Sequence, residues 1–135
     1  MEVRRAMVLV MTHMALADGK VTSQEAEFLT SMLGPGEDLA SLETEARSRS
    51  LADLLEPLTV YADRFFVALR AASMAHIDLE FDAREEELYE RLVKLLEIEK
   101  ADCELIQRSV AALDADVPSD PEPRIFELFA QSSLR

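Results

Sequence analysis

The chain has 135 residues, close to half of them apolar, and a formal net charge of −13. That is enough chain for one domain with a buried core, and too much apolar content for a disordered segment. The sign of the charge excludes a nucleic-acid partner and an anionic membrane surface, both of which demand basic patches. It suits solubility, cations or a basic protein partner.

Only 3 glycines occur, and the prolines cluster toward the end, which favours helices over a sheet with many tight turns. The single cysteine, Cys103, excludes an internal disulfide framework and a multi-cysteine zinc site. A reducing compartment is the simplest expectation from that count.

The first helix is predicted over Val3 to Ala17. Val3, Met7, Val10, Met14 and Ala17 form a stripe alternating by three and four, and Val8, Leu9 and Leu16 widen it. Arg4-Arg5 followed by an apolar run, with Ala15-Leu16-Ala17 behind it, also has the outline of a secretory leader. Thr12, His13 and Glu2 interrupt that outline, and the run is too short to span a membrane. Thr22-Ser23-Gln24-Glu25 reads as a capping box opening the second helix, with Gly19 free to end the first.

Gly34-Pro35-Gly36 stops that second helix. A short helix follows from Glu37 or Asp38 to about Arg47, and another from an N-cap at Ser50, carrying Leu51, Leu54, Leu55 and Leu58. A long apolar helix then starts at Asp63 as N-cap, with Arg64 and Arg70 placed to pair with nearby acids. Asp82-Ala83-Arg84-Glu85 is a second capping-box pattern. The closing helix, from Lys100 to Leu113, turns Leu105, Ile106, Val110 and Leu113 inward.

Shifting the chain by 60 aligns Met14-Ala15 with Met74-Ala75, Asp18 with Asp78, Thr22 with Asp82 and Glu25 with Glu85. Downstream, Phe28, Leu29, Met32 and Leu33 face Leu88, Tyr89, Leu92 and Val93. The expectation is therefore an all-α bundle of about seven to eight helices in two related halves, about residues 3–33 and 63–97, within a domain over 1–113. Residues 114–135 form an acidic, proline-containing linker and a short C-terminal helix. Ile125, Phe126, Leu128 and Phe129 in that helix either dock on the chain's own core or anchor a second copy or a protein partner.

A calcium loop with Asp18 at its fifth position places Gly19 and Glu25 well, but Met14 and Leu16 then stand where the first and third ligands belong. A weaker divalent-cation site remains. If the two corners approach, Asp18, Glu25, Asp78, Asp82 and Glu85 supply hard oxygens suited to Ca²⁺ or Mg²⁺. The alternative is that each glutamate only caps its helix. His13 and His76 fall at non-equivalent positions of the repeat and read as surface or helix-end residues. No nucleophile elbow, phosphate loop, zincin or dinucleotide motif occurs, so no catalytic frame is legible.

The stretch Ala17-Asp18-Gly19-Lys20-Val21-Thr22-Ser23-Gln24-Glu25 resembles the acidic corner of the TerB-like family, named for tellurite resistance proteins. A partial second copy runs from Ile77 to Glu85, with Leu79 in place of the second glycine. The resemblance covers about residues 3–113. It implies an all-helical, non-catalytic bacterial cytoplasmic protein linked to stress or tellurite resistance. It also implies a metal-binding role for Asp18, Glu25, Asp78 and Glu85, with Asp82 in the threonine/serine position. The rival is a protein-interaction or self-association module in which these acids are caps alone.

Overall fold

A computed structural model describes residues 3–16, 21–77, 83–114 and 122–133. Among them lie eight α-helices and no strand: α1 (Val3–Ala15), α2 (Ser23–Thr30), α3 (Leu39–Ser48), α4 (Leu51–Leu55), α5 (Tyr61–Ile77), α6 (Ala83–Leu95), α7 (Lys100–Ala111) and α8 (Pro123–Gln131). A single 3₁₀ turn, Ala112–Asp114, extends α7. The expected all-α class and helix number are borne out.

α1 is the centre. Every residue from Ala6 to Thr12 is buried, as are Met14 and Ala15, so the helix is apolar nearly all round and must be coated by others. Thr12 joins the core because its hydroxyl donates to the Val8 carbonyl at 2.8 Å, leaving no unmade bond. α3, α4 and α5 supply most of the coat, with α2 and α6 beside them. α5 is the second axis, touching α1, α2, α6, α7 and α8.

The basic pair at the start of α1 clamps its neighbours. Arg4 donates to the Met32 carbonyl at 3.0 Å and to Glu37 at 2.8 Å, while Arg5 donates to Glu37 at 3.1 Å and to Glu45. The Gly34 amide joins the same carboxylate. Hydrogen bonds from Gly34 and Arg4, with the arginine charges, outweigh desolvation and hold Glu37 below the ordinary carboxylate pKa. A Cβ on Gly34 would lie 2.8 Å from a Glu37 carboxylate oxygen, so a side chain there would push the ends of Glu37 and Arg4 aside. Gly36 has φ +78°, in the left-handed region that glycine enters freely.

Helix ends differ from expectation in three places, apart from α1. α1 is helical to Ala15, and the predicted end at Ala17 lies outside the described residues. α2 ends at Thr30, and the chain tightens into turns, with Met32 bonding Leu29 and Leu33 bonding Thr30, before the glycines are reached. α5 starts at Tyr61, so Asp63 is in its first turn rather than at the cap. Leu113 falls in the 3₁₀ turn and is 58% exposed, not inward. Asp38 and Ser50 cap α3 and α4 as expected.

α6 closes with paired bonds from Glu97 to the Lys94 carbonyl and from Ile98 to the Val93 carbonyl. Glu97 occupies the left-handed position usually held by glycine, at φ 54°. Arg64 steadies this end by donating to the Leu96 carbonyl at 3.3 Å, with Glu97 3.6 Å away.

The C-terminal helix docks on the chain itself. Leu128 is 1% exposed, and Ile125 packs against the core beside it. Two buried carboxylates hold the helix at both ends. Asp102 of α7 accepts from Tyr61 at 2.6 Å and from two nitrogens of Arg124, each at 3.2 Å. Asp63 of α5 accepts from the Ser132 hydroxyl, the Ser133 amide and the Ser133 hydroxyl at 2.7, 2.7 and 2.6 Å. Each carboxylate is thus enclosed and well supplied with donors, as a buried charge requires.

Burial pushes the Asp102 carboxyl upward, but the hydrogen bonds from Arg124 and Tyr61 and the arginine charge outweigh it, leaving its pKa below the ordinary value of 3.8. A depressed carboxylate stabilises above its unfolded pKa and loses that contribution as pH falls through its folded value. α8 should therefore loosen first on acidification. Amide exchange should show α8 protected at about pH 6 and losing protection at about pH 3, ahead of α1 and α5. Asp102→Asn should weaken that protection at neutral pH and flatten its acid dependence.

Candidate functional site

The acidic corner expected to carry function begins at α2. Thr22 Oγ1 accepts from the Glu25 amide at 3.2 Å, and Glu25 Oε1 accepts from the Thr22 amide at 2.9 Å. This is a closed capping box, as the spacing predicts. Glu25 is fully buried, so one carboxylate oxygen of this predicted ligand is committed to the fold. Asp18, Asp78 and Asp82 lie outside the described residues, and so does the side chain of Glu85. Among the described residues, no three histidine, cysteine, aspartate or glutamate side chains gather closely enough to hold a metal ion.

His13 is half-buried on α1, its Nδ1 3.3 Å from the Ala46 carbonyl. His76 is exposed near the end of α5. Cys103 on α7 is partly buried, and its thiol points to the Ile98 carbonyl at 3.8 Å. Burial and the charges of Asp102 and Glu104 push its pKa up, the opposite of what an activated thiolate needs. It lines a shallow hollow of 380 Å³ between α6 and α7, beside Tyr89, Val93, Lys94 and Lys100. Burial raises the Tyr89 hydroxyl to about 12.

A larger hollow was not anticipated. It measures 420 Å³ and is shared by α1, α5, the end of α7 and α8. Its floor is a stripe of α5, Phe66, Leu69, Arg70 and Ser73, at the i, i+3, i+4, i+7 spacing of one helical face. Met7 adds an apolar wall, and Leu113 and Phe129 form the rim. Phe66 sits between Phe65 and Phe129, edge to face with both, at 5.2 and 6.0 Å between ring centres. The docking of α8 thus builds one side of the hollow.

Two arginines reach this space, and they differ. Arg4 is already engaged with Glu37 and the Met32 carbonyl. Arg70 is exposed and forms no hydrogen bond or ion pair with any described residue. The expectation that Arg64 and Arg70 both pair with nearby acids thus divides: Arg64 lies 3.6 Å from Glu97 at the end of α6, while Arg70 shares the α5 face with Phe66 and Leu69. The two serines bond within their own helices, Ser73 to the Leu69 carbonyl and Ser109 to the Leu105 carbonyl, both at 2.9 Å. Their protons are spent, so the unspent donors of the hollow are those of Arg70.

No family model, characterised protein or solved structure matches this chain. No helix among the described residues is long and apolar enough to cross a membrane.

Thr22→Val removes the cap acceptor while keeping the side chain's shape. It should lower stability by about 0.5–2 kcal/mol, read as an earlier urea midpoint with an unchanged slope.

Proposed function

We propose that the protein is a non-catalytic helical module that acts by binding, with the outer face of α8 as its contact surface. One observation carries this reading. α8 is fixed from its inner side by Leu128, Asp63 and Asp102, yet Phe126 and Phe129 remain 60% and 50% exposed. Two large aromatic side chains three residues apart on a rigidly held helix are costly in water and suit an aromatic anchor at an interface. Of the four apolar tail residues expected to dock or to anchor, Ile125 and Leu128 serve the first purpose and Phe126 and Phe129 are left for the second.

The test leaves α8 in place, because deletion would also uncover the core beneath Leu128. Light scattering should give a mass above the 15.1 kDa of one chain that rises with concentration. Phe126→Ser should abolish that rise without shifting the thermal midpoint. A strict monomer at every concentration, together with no salt-sensitive capture of a basic partner, would overturn the proposal.

A second reading keeps the TerB-like relationship and the cation site. Its support is the paired arrangement of long helix, corner and second helix. α2 and α6 begin at Ser23 and Ala83, and α1 contacts α6 while α2 contacts α5, across the two pairs. In this reading Asp18, Glu25, Asp78, Asp82 and Glu85 offer hard oxygens to Ca²⁺ or Mg²⁺ within a stress-linked, tellurite-resistance type of role. Calorimetric titration of chelator-stripped protein with Ca²⁺, Mg²⁺, Mn²⁺ and Zn²⁺ should show a saturable heat that Asp18→Asn and Asp78→Asn remove. No heat with any of the four ions would end this reading.

A further inference from the structure

We infer that the 420 Å³ hollow between α1, α5, α7 and α8 is a binding site for a small, largely apolar molecule bearing one anionic head, of the fatty-carboxylate kind. Its volume lies in the range of small-molecule sites, and five of its nine lining residues are aromatic or aliphatic, the polar ones being two arginines and two serines. Phe66, Leu69, Met7, Leu113 and Phe129 supply the apolar surface.

The polar side of the site selects the charge. Arg4 is neutralised by Glu37, and Ser73 and Ser109 have given their protons to carbonyls of their own helices. Arg70 alone among the lining cations has no partner among the described residues. A guanidinium with its donors unspent, beside a low-dielectric apolar stripe, binds a carboxylate bidentately and more strongly than in open water. A neutral ligand would leave that charge unanswered, and a dianion would find only one counter-charge.

The size of the site decides between a small molecule and a protein. Nine residues line the hollow, well short of the roughly 20–30 residues a side of a stable protein interface. The occupant therefore differs from the partner proposed for Phe126, and the two sites meet only at Phe129.

The test uses the full chain with decanoate and decanol as probes. Amide and methyl resonances should shift with decanoate around Phe66, Leu69, Ser73, Leu113 and Phe129, and decanoate should bind at least about tenfold more tightly than decanol. Arg70→Ala should erase that preference, and Arg70→Lys should retain part of it. Because Arg70 is exposed and unengaged, neither change should alter the thermal midpoint, and light scattering should be unaffected by both. Equal binding of acid and alcohol, an unchanged preference in Arg70→Ala, or shifts confined to the α6–α7 hollow would each overturn the assignment. So would binding of an acidic amphipathic peptide at this site in the absence of any decanoate binding.

Discussion

The structure depends on one constraint: α1 is apolar on almost every face. Seven consecutive residues, Ala6 to Thr12, are buried, so no single partner helix can cover them. A helix of this kind is stable only inside a coat, and the loss of the coat on any side exposes methionine and leucine to water. The order of the other helices follows from that need. α3 and α4, short and half-apolar, cover one side, and the longer α5 covers another. The polar head of α1 does the remaining work, since Arg4 and Arg5 bind the loop before α3 and α3 itself through Glu37 and Glu45. The arginine pair that in sequence resembles the basic start of a leader is thus a joint of the bundle.

α8 is held by a different principle. It buries one leucine fully, with Ile125 and Phe129 packed beside it, and is tied at its two ends by Asp102 of α7 and Asp63 of α5. Buried carboxylates supplied with several donors give a helix a defined position and angle, because their hydrogen bonds are directional where apolar contact is not. A fixed α8 has a consequence for the surface. Phe129 is set against Phe66 to wall the larger hollow, and Phe126 is turned outward. The two candidate contact features therefore share one mechanical support, the pair of aspartates beneath them.

Much of the fold is legible in the sequence because its signals are local. The three-and-four stripe of α1, the Thr22-to-Glu25 box and the Asp38 and Ser50 caps each lie within a few residues, and each appears where it is expected. The departures come from interactions between distant residues. Asp63 looks like a cap because of its place before an apolar run, but Ser132 and Ser133 claim it from 69 and 70 residues away. Leu113 looks inward by periodicity, but the helix has tightened to a 3₁₀ turn by then, and the periodicity no longer applies. The hollow joins residues from Arg4 to Phe129 and has no local signature as a whole. Its α5 floor does have one: Phe66, Leu69, Arg70 and Ser73 share a helical face on which an arginine interrupts apolar residues.

That arginine bears on how charge is used across the molecule. The chain holds 27 acidic and 14 basic residues, so a basic side chain chosen at random should find a carboxylate nearby. Arg4, Arg5, Arg64, Arg108 and Arg124 do so, and in each case the pair joins separate segments of the fold: Arg4 and Arg5 to Glu37, Arg64 to Glu97, Arg108 to Glu122, and Arg124 to Asp102. Arg64 does the same through the Leu96 carbonyl. Arg70 sits on α5 between these clamps and takes part in none among the described residues. A guanidinium that meets no described carboxylate and shares its helical face with Phe66 and Leu69 leaves its charge to be met from outside the chain.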